Sequence, residues 1–283
     1  MGMGVAGSYL MARLKDSKHD VTGYERSAEE RHDSICAWGT IKPILREFCK
    51  KTDRNFDDFL IHDGKKMHVK MNDDIKFDIG LHGMCTYNKL ALIKDFIKDS
   101  KVIYGEAPKL EELEKEYDLI VDCTGFGRAY LPKMEEDFFL PTYEYKVEYE
   151  NGVPYDDFYI EPFPGMSGYF WYFPLGEKWA HIGAGDYNKQ HIKATDAFLK
   201  KHGGKVLQTK GRPIRLATPN KCKPFYKGKV VGVGESIGTV YALLGEGIIP
   251  SMQCVDIFMD NIGDMQAYEK AVDKHYKIYS KVF

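Results

Sequence analysis

Six residues at the start of the chain, GMGVAG from Gly2 to Gly7, constrain the fold more than any other stretch. They are followed by SYLMARLKDS, in which Leu10, Met11 and Leu14 recur at helical spacing, and then by HDVTGYE, a short strand candidate ending in Glu25. Loop, helix, strand and acid in that order fit a dinucleotide-binding unit. In such a unit Gly2 makes the tight turn, Gly4 lets the backbone approach a pyrophosphate, and Gly7 lets helix pack on strand. Val5 and Ala6 open a helix whose N-terminus presents the positive end of a dipole. Glu25, about 18 residues beyond Gly7, is then placed to accept hydrogen bonds from the adenosine ribose, with Arg26 beside it. The plainer alternative is a surface loop before an ordinary amphipathic helix, which an acid at this distance disfavours. No strand precedes the glycines, so the chain is expected to begin inside a longer native sequence whose extra residues complete the sheet.

Bulk properties bound the rest. A chain of 283 residues with 43% hydrophobic side chains can bury one large α/β domain or two smaller ones. Forty basic against forty-two acidic residues leave a net charge of -2, so no overall field draws the protein to nucleic acid. The six cysteines, at 36, 49, 85, 123, 222 and 254, form no CxxC pair, which argues against a zinc site and, without a signal peptide, for the cytoplasm. No apolar run approaches the roughly 20 residues of a membrane-spanning helix, so any membrane contact is expected to be peripheral. No metal ligand set is expected either: His62, His68 and His82 lack ligand spacing, and His181 sits in a strand pattern as a structural histidine.

Two later stretches select the dinucleotide. YDLIVDCTGFGRAYLP, residues 117 to 132, is a buried-strand run that ends in the small-residue turn Asp122, Cys123, Thr124 and Gly125, as where a flavoprotein sheet closes over the adenine end of FAD. KVVGVGESIGTVYALLGEGII, residues 229 to 249, gives a second strand over Val230 to Val233, then Gly234, Glu235 and Gly238, then a Gly245-Glu246-Gly247 turn that leads at Ile248 into a helix. Gly234 and Glu235 are expected to meet the ribityl and phosphate region. The Gly245 to Gly247 turn would aim a helix N-terminus at the flavin ring and stabilise negative charge on its reduced form. A second nucleotide unit for NAD(P) does not fit, because the roughly 45 residues that follow are patterned as helix. One split FAD site is the reading.

With these motifs in place, the chain resembles the geranylgeranyl reductase family within the para-hydroxybenzoate-hydroxylase-like flavoproteins, over nearly its full length. The most specific match is YFWYFPLG, Tyr169 to Gly176, which carries that family's YxWxFP motif at Tyr169, Trp171, Phe173 and Pro174. In the family this motif lines the pocket for a polyprenyl chain, and alternation along a strand puts the three rings on one face. CAWG, Cys36 to Gly39, stands where the family has a cysteine-glycine loop beside the flavin. The resemblance implies FAD as cofactor and hydride transfer from reduced flavin to the carbon-carbon double bonds of a prenyl lipid in archaeal-type lipid saturation. Cys36, Tyr169 and Tyr241 are its candidate proton donors or positioners. The electron donor stays open between NAD(P)H and a small protein carrier such as ferredoxin. Departures are Glu235 where the family has Asp, Asn88 and Lys89 where an arginine usually meets the flavin, and an early end at Phe283, which predicts a shorter or more open substrate tunnel or one completed by another subunit.

The fold class that follows is α/β: a Rossmann-like FAD-binding domain with a parallel sheet, and an α+β substrate domain built on an antiparallel sheet. The flavin domain is predicted over residues 1–60, 80–137 and 218–283, and the substrate domain over 138–217. The alternating segment 61–79, with Met67, Val69, Met71, Ile75, Phe77 and Ile79, is expected to pair as a hairpin on or near that sheet. Two rival readings remain: a flavin monooxygenase of the same architecture, and a flavin- or lipid-binding protein without turnover.

Overall fold

The structure is a computed structural model that describes residues 1–32 and 36–279. In chain order its elements are α1 (Val5–Leu14), β1 (Gly23–Glu25), β2 (Gly39–Ile41), α2 (Lys42–Lys50), β3 (Leu60–Asp63), β4 (Lys66–Lys70), β5 (Lys76–Gly80), β6 (Met84–Tyr87), α3 (Lys89–Ile97), β7 (Val102–Tyr104), α4 (Leu110–Glu116) and β8 (Ile120–Asp122), then β9 (Phe139–Glu148), β10 (Phe158–Pro162), β11 (Gly168–Pro174), β12 (Trp179–Asp186), α5 (His191–His202) and β13 (Lys205–Arg215), and finally β14 (Tyr226–Lys227), β15 (Val230–Gly232), α6 (Ile248–Asp260) and α7 (Met265–His275). The chain divides into two compact units, one of Met1–Ser34, Leu90–Phe139 and Arg215–Phe283, the other of Ile35–Lys89 and Leu140–Ile214.

The first unit is the α/β one. β1 pairs parallel with β7, and β8 pairs parallel with β15, whose other edge takes β14 antiparallel. Met1 and Gly2 stand between β1 and β8 and bond to both: the Met1 ammonium donates to Val121 O at 2.8 Å, Cys123 N to Met1 O at 2.9 Å, and Gly2 N to Tyr24 O at 2.8 Å. α1 forms because Ala, Leu, Met and Arg dominate it, and it is buried on nearly every side from Ala6 to Leu14. Its partner is α6, where Tyr9 Oη donates to Asp256 Oδ1 at 3.0 Å and Arg13 pairs with the same carboxylate. Each fully buried side chain of this core, Met252 and Phe258 among them, contributes about 1.5–3 kcal/mol. α7 starts at Asp264, whose carboxylate accepts from Gln266 N and Ala267 N. α4 buries only Leu113, as expected for a solvated charged helix.

The second unit is built on a seven-stranded sheet in the order β13-β9-β12-β11-β10-β4-β5, antiparallel except where β4 runs parallel to β10. The alternating 61–79 segment supplies β4 and β5 as a hairpin, with Val69 opposite Phe77, and β4 joins it to the main sheet. α5 covers one face: Phe198 stacks on Phe170 at 4.6 Å, over Val147, Tyr172, Ala180, Ile182 and Ala184, all buried. By alternation the opposite face carries Tyr169, Trp171 and Phe173 of β11, His181 and Gly183 of β12, and Glu144 of β9.

Residues 36–60 and 80–89 lie with this sheet and not with the dinucleotide unit, contrary to the expected boundaries of 1–60 and 80–137. The reason is strand pairing. β6 takes β2 on one side and β3 on the other, and Thr86 Oγ1 donates to Pro174 O at 2.6 Å. A Cβ on Gly39 would fall 2.5 Å from the Phe173 ring, and one on Gly64 2.6 Å from the Phe158 ring, so both glycines admit close packing on the large sheet.

Candidate functional site

The dinucleotide elements converge in the first unit. Gly2 has φ +82°, and a Cβ there would come within 2.8 Å of Cys123 O, so loop and β8 turn touch directly. Gly4 is the N-cap of α1 and has nothing among the described residues within 4 Å of where its Cβ would be. Among the described residues no side chain caps that helix, and no acid lies in its first turn. Open backbone at Gly4 above an uncapped helix N-terminus fits the pyrophosphate of a dinucleotide.

Glu25 is buried and makes structural contacts beyond the ribose contact expected of it. Its Oε2 accepts from Met3 N and its Oε1 from Ser27 N, both at 2.9 Å. Burial pushes its carboxyl up, but these N–H bonds and His32, 3.8 Å away, outweigh that and hold it below the usual carboxylate range. Each oxygen keeps a second lone pair, so an ionised Glu25 can order the glycine loop and still accept a hydroxyl. Arg26 is exposed.

The two small-residue turns after β8 and β15 are stitched together by two arginines that no local motif marks. Arg215 grips Asp137 with both edges at 3.0 and 2.9 Å, and donates to the carbonyls of Phe126 at 2.8 Å and Glu235 at 3.0 Å. Arg128 donates to Ser236 O at 2.6 Å, Pro224 O at 2.8 Å and Pro132 O at 2.8 Å. Asp122 organises the first turn, accepting from the Thr124 amide and hydroxyl and from the amides of Tyr130 and Leu131. Glu235 Oε1 takes the Arg215 amide at 3.0 Å, and its Oε2 lies 3.0 Å from where a Cβ on Gly125 would be. Gly234, at φ +82°, lets β15 reach Ala6 of α1 and Ser251 of α6, and Gly238 lies against Ala217 O.

At α6 the expected helix N-terminus is present, with Gly247 as N-cap and Ile248 first in the helix. Its N–H groups are not free, because Glu246 Oε1 accepts from Ile249 N at 2.7 Å. Burial pushes the Glu246 carboxyl up to about 7, against the opposing pull of the Ile249 and Ile248 amides. A flavin ring at this turn therefore meets a carboxyl already seated on the helix. Tyr241 is tied down close by: its ring stacks on Tyr279 at 4.0 Å and its hydroxyl donates to Gln253 at 2.7 Å.

The other candidate residues lie in the second unit, where the fold brings them onto one sheet face. Trp171 and Tyr169 meet edge to face at 5.8 Å, and Phe173 packs on Phe158 at 4.9 Å. Trp171 is buried, Tyr169 and Phe173 are half-buried, and Pro174 is fixed in the packing through its carbonyl. The CAWG loop lies against the same face. Cys36 O bonds His181 Nδ1 at 2.9 Å, Cys36 Sγ accepts from Trp38 N at 3.3 Å, and Trp38, held at φ +62°, places its ring 4.9 Å from the His181 ring. Lys146 Nζ covers the Trp38 ring at 4.9 Å. Cys36 and Tyr169 thus share one unit, while Tyr241 belongs to the other.

Sequence reasoning missed Glu144. It is buried beside His181, whose Nδ1 lies 3.4 Å from its Oε1. The pattern TYEYKVEYE marks a strand, but only register with β12 and β11 reveals which of its acids is buried under the aromatic face.

Comparisons with known proteins show the fold. No family model matches the chain, and no curated protein sequence matches it. Among solved structures, a geranylgeranyl bacteriochlorophyll reductase-like protein of Thermoplasma acidophilum superposes with a TM-score of 0.75 at 17% identity, covering 100% of this chain and 82% of that one. A flavin-dependent halogenase of Xanthomonas campestris gives 0.74 at 13% identity, over 99% and 74%. A probable FAD-dependent monooxygenase of Pseudomonas aeruginosa gives 0.68 at 14%, over 99% and 90%. The likeness shows the fold: this chain has the architecture shared by the reductase-like protein, the flavin-dependent halogenase and the probable FAD-dependent monooxygenase. Among the described residues no helix is long and apolar enough to cross a membrane.

Proposed function

We propose that the protein is an FAD-dependent oxidoreductase that reduces carbon-carbon double bonds of a prenyl lipid. The observation that carries FAD is the cradle of the first unit: open backbone at Gly4, an uncapped α1 N-terminus at Val5 to Gly7, and an ionised Glu25 close by. Gly2, Gly4, Val5, Ala6 and Gly7 would hold the pyrophosphate, Glu25 and Arg26 the ribose, and Thr124, Gly125, Gly234, Glu235 and Gly238 the remainder of the dinucleotide, with Gly245, Gly247 and Ile248 toward the ring. Bound FAD in its reduced form supplies a hydride. The prenyl substrate is supported by the YxWxFP rings Tyr169, Trp171 and Phe173, which share one sheet face, and by the likeness to the reductase-like protein. An isolated alkene is unactivated, so orienting it and excluding water carry much of the rate.

A second reading, a flavin monooxygenase, is favoured by the likeness to the probable monooxygenase. One experiment separates the two. The protein loaded with FAD and reduced anaerobically is mixed with a geranylgeranyl lipid. Reoxidation of the flavin with formation of the saturated lipid supports the reductase. Reoxidation only when oxygen and an aromatic substrate are both admitted supports the monooxygenase. Repeating the reduction with NADPH and with reduced ferredoxin identifies the donor.

A further inference from the structure

The seven-stranded sheet of the second unit ends in two edges that are built differently. β13 forms one, and it carries Pro213 with the charges of Lys205 and Lys210, devices that blunt an edge against further pairing. β5 forms the other, and every residue from Lys76 to Gly80 is exposed. Alternation puts Ile75, Phe77 and Ile79 on one face, where they are 53%, 46% and 46% accessible, and Lys76 and Asp78 on the other. An exposed apolar edge strand without proline is a template for another strand.

The sequence IKFDI, Ile75 to Ile79, is complementary to itself about Phe77. In an antiparallel pairing of two copies centred on that residue, ring faces ring, Lys76 stands opposite the partner's Asp78, Asp78 opposite the partner's Lys76, and Ile75 opposite the partner's Ile79. The backbone phase agrees. Met71 N donates to Ile75 O at 3.0 Å and Leu81 N to Lys65 O at 2.9 Å, so the odd-numbered residues of this stretch turn their peptide groups inward. Lys76, Asp78 and Gly80 then turn theirs outward, which makes Lys76 and Asp78 the hydrogen-bonded pairs and Phe77 the closer, non-hydrogen-bonded one. Centring the pair on Lys76 or on Asp78 instead sets like charges directly opposite, and a shift of half that step sets Phe77 against a charge and flips the faces. Asp78 can take the extra cation: its Oδ1 pairs with His68 Nδ1 at 2.7 Å, while its Oδ2 lies 4.0 Å from Lys66 Nζ.

We propose that β5 is the docking edge for a second copy of this chain, held as an antiparallel two-fold pair centred on Phe77. The large sheets of the two copies run on as one, and the exposed stripe of Ile75, Phe77 and Ile79 is covered by the same stripe of the partner. Each copy uses the same edge, so the pairing closes on itself and stops at a dimer. The charges of Lys76 and Asp78 select the register instead of blocking the edge. A strand edge of this length is small beside a standard interface of about 1,200–2,000 Å², so the dimer exchanges with monomer and depends on concentration. The pairing needs neither FAD nor substrate.

The test is a charge swap followed by sedimentation of the full chain over a concentration series. The wild type should show a reversible monomer–dimer equilibrium. Lys76→Asp sets like charges at both cross-copy pairs, and so does Asp78→Lys, so each variant alone should dimerise about tenfold or more weakly while keeping the wild-type circular dichroism. An equal mixture of the two variants should regain the wild-type dimer, because every charge then meets its opposite, a rescue that a folding defect cannot produce. Phe77→Cys should link copy to copy on mild oxidation where the wild type does not, since a non-hydrogen-bonded pair brings its Cα atoms to about 4.5 Å, within disulfide range. A wild type that stays monomeric at every concentration overturns the proposal. Single variants that dimerise as well as the wild type, or a mixture that regains no dimer, overturn it equally.

Discussion

A Cβ on Gly7 would stand 1.9 Å from the carbonyl oxygen of Gly2, so the first turn of α1 rests directly on the loop that precedes it. Any side chain at residue 7 must push helix and loop apart, which costs about 1–3 kcal/mol as overpacking. Gly7→Ala should therefore lower the melting temperature and weaken FAD binding at least tenfold, read as loss of flavin fluorescence quenching. Gly4→Ala, where a methyl group meets nothing, should leave stability within about 0.5 kcal/mol, yet weaken FAD binding because the methyl group occupies the space above the helix.

Trp171 and Gly183 make the matching contact in the second unit. Gly183→Ala should displace the indole, change tryptophan emission and, because the Tyr143 carbonyl lies 2.6 Å from the new Cβ, destabilise the sheet by about 1–3 kcal/mol. Turnover of a prenyl substrate should fall further than stability does, by about a hundredfold for an ångström of misplacement. FAD affinity should be unchanged.

Arg215 holds two turns and a carboxylate at once. Replacing it with Ala leaves Asp137 without its partner and the carbonyls of Phe126 and Glu235 without a donor. The expected loss is roughly 3 kcal/mol in urea denaturation, with Arg215→Lys recovering only part because a single ammonium cannot reproduce the fork.

Glu246 predicts a pH dependence. Its folded carboxyl lies at about 7, above the ordinary carboxylate value, so the folded protein binds more protons than the unfolded chain between those two values. The stabilising contribution is complete below the unfolded value and is lost as pH rises toward and through about 7. Glu246→Gln, which keeps an oxygen acceptor for Ile249 N, should remove that slope. Its stability relative to wild type should rise by up to about 1.4 kcal/mol per pH unit across the window, measured by thermal melts from pH 4 to 8.

What could be read from the sequence is what local chemistry writes. The GMGVAG loop, α1, Glu25, the CTG turn and the strands before Thr124 and Gly234 are each encoded within a few residues, and the alternation of Met67 to Ile79 encodes a hairpin. Long-range partnerships are not written this way. Arg215 meets Phe126 across 89 positions and Arg128 meets Ser236 across 108, and neither arginine stands in a motif. The affiliation of residues 36–60 depends on β6 taking β2 and β3 as partners, and the burial of Glu144 depends on the register of β9 against β12. Glu246 lies inside the glycine turn expected to face the flavin, but its seat on the α6 amides follows from the turn's conformation and not from its composition.

The most direct test of the account is a titration of the purified protein with FAD, followed by absorbance and fluorescence, with Gly7→Ala alongside. The account predicts saturable binding, a perturbed flavin spectrum that dithionite bleaches, and marked weakening in the variant. A spectrum that stays that of free FAD at every concentration, in the wild type as in Gly7→Ala, would contradict it.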